Sequence, residues 1–271
     1  LVTSINAVLD STRIEYVKWD MNRFITDAWS AIAEKEKQGE IYHRYILGLY
    51  DIMNRIILTH PKILFCGCSG GGGRFDPGML YYQPQIWCSD NTDAVCRLRI
   101  QYGTAFVYPV FAMESHVSVC PNHQTGRTVP LATRGVTAMG GILGYELDST
   151  KLSEEEKRIC REQVAAYKRD YPLIAYGDYY RLTNPYTFSE YVAWEHVSPD
   201  QKEALISLVL TEKEANDAQR FIKAKGLNPR TQYRVEGMKG SLSGQALMSA
   251  GLPVPGNLLQ YEAVQYHIKA L

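Results

Sequence analysis

The sequence predicts an α/β protein: five-eighths of a (β/α)8 TIM barrel, followed by an antiparallel β-sandwich domain. Three observations carry that expectation. Through residues 1–174, short apolar runs alternate with longer segments of helical period, the pattern of parallel strands joined by crossover helices. Five strand candidates occur there, whereas a complete eight-stranded barrel takes about 250 residues. Beyond that point the helical period disappears. Short β-rich runs separated by Asn, Pro, Gly and Asp take over, which predicts antiparallel sheet.

The elements follow in order. "IEYVKWD", Ile14 to Asp20, reads as a strand. "GEIYHRYILGLYDIMNRIILTH" repeats apolar residues at Tyr42, Tyr45, Ile46, Leu49, Ile52, Met53 and Ile56, which is helical spacing. "PKILF" is a buried strand running into the glycine-rich "CGCSGGGGRFD". "PQIWCSD" is another strand, and "NTDAVCRLRIQYG" a helix with Asn91 or Thr92 as N-cap and Gly103 as its stop. "SHVSVC" and "GGILGYEL" are strands on either side of a helical "LATRGVTAM". "SEEEKRICREQVAAYKRDY" is a helix opened by a capping box of Ser153 and Glu156. After Tyr171 come "DYYRLT", "EYVAWEHVS", "EALISLVLTE", "QRFIKAK", "TQYRVEG" and "AVQYHIKAL", with no helical period among them. The boundary is placed between Pro172 and Gly177, giving domains 1–174 and 175–271.

Composition narrows the function. Lys plus Arg equals Asp plus Glu at 29 each, so there is no basic excess to hold a phosphate backbone, and nucleic acid is not an expected partner. No apolar run is long enough to span a bilayer, so no membrane partner is expected either. Six cysteines without paired C-x-x-C spacing read as free thiols of a reducing compartment, the cytoplasm. A leader peptide is not tested by a chain that starts at Leu1. The six histidines show no ligand spacing, and no metal or cofactor is expected. The glycine run Gly70–Gly73 lacks the Lys and Ser/Thr of a phosphate loop, with Arg74 and Phe75 in their place. It permits close backbone approach instead.

Three strands end in polar constellations: "VKWDMN", "FCGCSGGGGRFD" and "IWCSDNTD". In parallel β/α folds the site lies at the carboxyl ends of the strands, so Asp20 and Asp90 are expected to face one cleft. Two facing carboxylates are the minimum equipment for glycoside hydrolysis, and a separation of about 5–5.5 Å gives retention of configuration. A helix N-cap or an ion pair is the competing role for each aspartate. Lys18 shares a strand face with Asp20 and can hold a carboxylate ionised. Trp19 and Trp87 could stack on a sugar, although tryptophans at such positions more often pack in a core.

The series "YVKWDMNR", "CSGGGGRFDPGMLYY", "PQIWCSDNTDA", "RLRIQYGT", "HVSVCPNHQTGR", "GYELD" and "YGDYYRL" resembles, in order and over essentially the whole chain, the α-galactosidases of glycoside hydrolase family 36. The resemblance implies a central (β/α)8 barrel and a C-terminal antiparallel β domain. It implies retaining hydrolysis of terminal α-1,6-linked galactose from melibiose, raffinose and stachyose, without a metal. It assigns Asp20 as nucleophile and Asp90 as acid/base. It places Lys18 and Asn22 at sugar-binding positions, and Cys68, Ser69, Gly70 and Gly71 in the loop against the galactose. A homo-oligomer, a tetramer in related enzymes, is implied for the full-length protein. Two positions depart from the family pattern: Cys66 stands where Glu is usual, and Glu114 where a small residue is. The K-W-D motif closes the fourth barrel strand of the family, so the resemblance also implies that this is the C-terminal five-eighths of the barrel, strands four to eight, with strands one to three and an N-terminal domain missing here. The readings that compete with the galactosidase are an α-N-acetylgalactosaminidase and an inactive fragment.

Overall fold

The computed structural model describes residues 1–22, 26–216 and 218–271. The chain forms two compact units, Leu1–Asp90 and Asn91–Leu271. The compact division thus falls after Asp90, inside the first domain expected from sequence.

In the first unit, α1 (Val2–Asp10) precedes β1 (Tyr16–Asp20), α2 (Ile41–Thr59), β2 (Leu64–Cys68), α3 (Pro77–Tyr82) and β3 (Gln85–Trp87). The three strands are parallel in the order β1-β2-β3, with Lys18 opposite Cys66 and Asp20 opposite Cys68. Alternation along β1 turns Val17 and Trp19 toward the helices and leaves Tyr16, Lys18 and Asp20 exposed on the other face. The α2 positions Leu49, Met53 and Ile56 are its buried face, as the helical period requires. Leu49 and Met53 pack with Met79 and Ile86, and Ile56 with Leu9 and Phe65; Trp19 joins both clusters. α3, which the sequence reading missed, starts where Asp76 accepts the Met79 amide at 2.8 Å and Pro77 occupies the first turn.

The second unit continues with α4 (Ala94–Thr104), β4 (Met113–Ser118), α5 (Leu131–Ala138), β5 (Ile142–Glu146) and α6 (Glu154–Tyr176), with β4 and β5 parallel. An antiparallel part follows: β6 (Asp178–Arg181), β7 (Tyr191–Val197), β8 (Glu203–Leu210), β9 (Phe221–Ile222), β10 (Gln232–Val235), β11 (Leu242–Ser243), α7 (Gly244–Ser249), β12 (Leu252–Pro253) and β13 (Ala263–Ala270). Six of these strands form one sheet in the order β11-β10-β13-β8-β7-β6, and β12 pairs with β9. Ile222 of β9 and Leu252 of β12 share a core with Ile206, Tyr233 and Ile268 of the larger sheet, so the two sheets pack face to face.

Four local expectations are corrected. The cap of α4 is Asp93, whose Oδ1 accepts the Val95 and Cys96 amides at 2.9 Å each; neither Asn91 nor Thr92 caps it. α4 also runs through Gly103 to Thr104. The helix opened by Ser153 and Glu156, where both halves of the capping box form, continues past Tyr171 and Pro172 to Tyr176, because Leu173, Ile174 and Ala175 are buried. Finally, the antiparallel part holds a short helix, α7, capped by Ser243. No helix among the described residues is long and apolar enough to cross a membrane.

Candidate active site

All eight residues singled out from sequence lie in the first unit, at the carboxyl ends of its strands. Asp20 is the last residue of β1, and Cys68, the last of β2, is its register partner. Asp90 follows β3 by three residues. Neither aspartate is a helix cap: Glu40, with no side-chain capping bond, occupies the N-cap position of α2, and Asp93 caps α4. Both carboxylates stand at exposed positions.

The strand exits are stitched together through Met21 and Asn22. The Met21 amide donates to the Cys68 carbonyl at 3.2 Å, and its own carbonyl accepts the Ser69 hydroxyl at 2.8 Å. The Asn22 side chain donates to Asp20 Oδ2 at 3.0 Å while its Oδ1 accepts the Gly70 amide at 2.7 Å. One asparagine thus orients the carboxylate and fixes the loop beside it. Arg23, part of the charged cluster in the sequence, lies outside the described residues.

The glycine run works by close approach. Gly70 and Gly71 take φ of 56° and 79°, a region open to glycine at little cost. A Cβ on Gly71 would sit 2.7 Å from the Ser89 Cα and 2.9 Å from the Asp90 nitrogen, and one on Gly72 would sit 2.7 Å from the Cys88 carbonyl oxygen. The loop after β2 therefore lies directly on the segment that carries Asp90. Gly67 is small for a related reason: its Cβ would be 2.3 Å from the Gln83 side chain.

Asp90 is held by Trp87, whose indole N–H donates to its Oδ1 at 3.0 Å. Lys18 places its ammonium 5.6 Å from the centre of the same indole ring. Trp87 is buried, so it acts as a hydrogen-bond donor and packing surface, not as a stacking platform. Burial pushes the Cys68 thiol up to about 11; a Gly71 backbone bond pulls the other way, and a hydrogen bond with Asp20 and the charges of Asp20 and Asp90 raise it further. The thiol is thus a neutral donor that feels both carboxylates. Cys66, at the position where Glu was expected, is fully buried beneath this layer.

Two participants were missed from sequence. Arg74 donates to the Cys68 carbonyl at 2.7 Å, and the Tyr45 hydroxyl reaches Met21 Sδ at 3.1 Å. Only the presence of polar atoms on Tyr45 and Arg74 could have flagged them. In the second unit, Glu114 is buried, with its Oε2 3.9 Å from His116. Among the described residues no group of three or more His, Cys, Asp or Glu side chains could hold a metal ion.

Parallel β/α strands whose exits carry a pair of exposed aspartates, followed by an antiparallel β domain, match the architecture of barrel glycoside hydrolases. The chain belongs to the melibiase family: the melibiase profile matches residues 1–177, and the glycosyl hydrolase family 36 C-terminal domain matches residues 191–268. It is 52% identical over 262 residues to the bifunctional α-galactosidase/sucrose kinase AgaSK of Mediterraneibacter gnavus, covering 97% of this chain and 27% of that protein. It is 49% identical to α-galactosidase AgaA of Geobacillus stearothermophilus, over 100% of this chain and 37% of that one. The crystal structure of an AgaA variant in complex with raffinose superposes with a TM-score of 0.96 at 48% identity, covering 100% of this chain and 37% of that one. Against these relatives the chain spans between a quarter and two-fifths of their length.

Proposed function

We propose that this chain carries the catalytic carboxylates of a retaining α-galactosidase. The enzyme would act on terminal α-1,6-linked galactose in melibiose, raffinose and stachyose type oligosaccharides. The observation that carries the reading is that one glycine loop links the two strand exits: Asn22 bonds both Asp20 and the Gly70 amide, and Gly71 lies against the backbone of Ser89 and Asp90. Family membership supports the substrate class, as do the AgaA variants solved with raffinose and with stachyose.

In this reading Asp20 attacks the anomeric carbon while Asp90 gives its proton to the glycosidic oxygen, breaking the bond and leaving a galactosyl ester on Asp20. Asp90, now a carboxylate, takes a proton from water, which attacks the same carbon and frees Asp20. Asn22 aims the Asp20 oxygen, and the Trp87 indole aims the Asp90 carboxylate. The Lys18 ammonium and the Asn22 side-chain amide offer donors to sugar hydroxyls, while Cys68, Ser69, Gly70 and Gly71, whose internal bonds hold the loop in shape, form the wall against the sugar.

Three further parts belong to the proposal. The functional boundary lies near 174/175, supported by the end of α6 at Tyr176, the start of β6 at Asp178 and the gap between the two profile matches. A reducing, cytoplasmic setting is supported by six free cysteines. Assembly as a homo-oligomer follows from the family resemblance.

The test uses protein expressed from its complete reading frame. With nitrophenyl α-galactoside, proton NMR at early times should show α-galactose first. Early β-galactose would reject double displacement. Faster turnover of the N-acetyl analogue would move the assignment to an α-N-acetylgalactosaminidase, and no turnover of either would reject the activity.

A further inference from the structure

Between Asp20 and Asn22 stands Met21, and its sulfur as well as its backbone is engaged. Its Sδ lies 3.1 Å from the Tyr45 hydroxyl, presented by α2, and 3.9 Å from Arg74 Nη1, presented by the loop after β2. Arg74 uses Nη2 to hold the Cys68 carbonyl at 2.7 Å, and that carbonyl accepts the Met21 amide. A methionine placed only to fill space needs no donors around its sulfur, because a thioether is a weak acceptor and a flexible apolar filler. Here two donors from separate elements converge on it.

We propose that Tyr45, Met21 and Arg74 form a positioning cluster that uses the thioether as a hydrogen-bond acceptor to set the exit of β1, and with it Asp20 and Asn22. The inference rests on Asp20 being the nucleophile. The physical need is plain. Asp20 is the last residue of β1 with a partner in β2, and Asn22 lies beyond the strand. Bonds to Cys68, Ser69 and Gly70 hold this end to the loop after β2, and the thioether adds the tie to α2 through Tyr45. The cluster ties that end sideways to a helix and forward to the glycine loop. Its three residues touch no substrate atom in this role; they act through Asp20 and Asn22.

The experiment compares Met21→Leu with Met21→Gln in protein expressed from its complete reading frame, on an aryl α-galactoside. Leu conserves volume and removes the acceptor; Gln has similar length and supplies an amide oxygen. The positioning role predicts that Met21→Leu loses about tenfold in kcat/KM, mostly in kcat, as expected for a displaced reacting group. It predicts that Met21→Gln keeps more activity than Met21→Leu. A packing role predicts the opposite order, with Leu near neutral and Gln impaired. Tyr45→Phe, which removes one oxygen and should fold normally, is expected to lower kcat several-fold alone and to add nothing in the Met21→Leu background. Leu matching the unaltered protein, Leu surpassing Gln, or full additivity with Tyr45→Phe would each overturn the role. No turnover by the unaltered protein would remove the functional reading and this role with it. Normal turnover with unaffected variants would remove this role alone.

Discussion

Two sets of carboxylates divide this molecule. In residues 1–90, Asp20 and Asp90 stand at exposed positions at the ends of parallel strands and are aimed by neutral donors, among them Asn22 and the Trp87 indole. In residues 91–271, Asp93 and Asp170 are buried and densely bonded. Asp93 accepts two backbone amides, the Thr125 hydroxyl at 2.6 Å and the Arg127 guanidinium. Burial works to raise its carboxyl, but these donors outweigh it and hold it below the usual carboxylate range. Asp170 behaves alike, with burial offset by His267 at 3.1 Å and Arg169 at 2.8 and 2.9 Å. Buried carboxylates stay charged only when saturated with donors, and a saturated carboxylate has no lone pair left for chemistry. The two exposed aspartates have the opposite design.

Removing one member of each set should sharpen the contrast most. Asp20→Asn in the complete protein is expected to lower turnover of an aryl α-galactoside by about 10⁴-fold or more, with little change in stability. Asp90→Ala should depend on the leaving group, sparing activated aryl galactosides relative to raffinose, and azide should restore turnover as β-galactosyl azide. Asp93→Ala should leave Arg127 and two helix amides without their acceptor and destabilise the fold by about 3–5 kcal/mol, read as a lowered urea midpoint. A large stability loss in Asp20→Asn, or an unchanged midpoint in Asp93→Ala, would erase the distinction.

The glycines offer a smaller version of the same comparison. Gly71 and Gly126 both have left-handed backbones, with φ of 79° and 70°. An added Cβ meets backbone atoms of Ser89 and Asp90 at the first and open space at the second. Alanine at either site should strain the backbone by about 1–2 kcal/mol. Only Gly71→Ala should also push Asp90 out of line, with a fall in kcat on the order of 100-fold. Equal kinetic effects would mean that the glycine loop does not set the position of Asp90.

The parallel strands and their helices could be read from sequence because periods of 2.0 and 3.6 survive in short windows. Asp20 and Asp90 were readable because charge at a strand exit breaks those periods. The cap of α4 was not, since Asn91, Thr92 and Asp93 are all capable caps. Contacts from Thr125 and Arg127, 32 and 34 residues away, favour Asp93. Pro172 looked like a stop, yet a lost amide bond there is outweighed by the burial of Leu173, Ile174 and Ala175. α7 is too short to show a period. Tyr45 counted as an apolar position of the helical period and Met21 was not singled out, so the contact between a hydroxyl and a sulfur was invisible until α2 and β1 were folded.

The last comparison lies within the second unit, between a buried carboxylate that is saturated and one that is not. Glu195 on β7 is fully buried; its Oε2 accepts the Lys225 amide at 2.7 Å, while its Oε1 is buried with no hydrogen-bond partner. Burial pushes its carboxyl up to about 8, against the smaller opposing effect of that amide and the Lys225 charge. A carboxyl raised in the folded state binds its proton more tightly there than in the unfolded chain. Stability from this group is therefore fully present below the unfolded pKa of about 4.5 and is lost as pH rises toward 8. Within that window the loss is about 1.4 kcal/mol per pH unit. Glu195→Gln keeps an acceptor for the Lys225 amide and cannot ionise, so its stability should be flat where that of the unaltered protein falls. Hydrogen exchange of the β7 amides at pH 6 and pH 7 would read this as protection that declines in the unaltered protein and holds in the variant. Parallel declines would mean that Glu195 is already ionised in its core and that the Lys225 amide alone suffices to hold the charge.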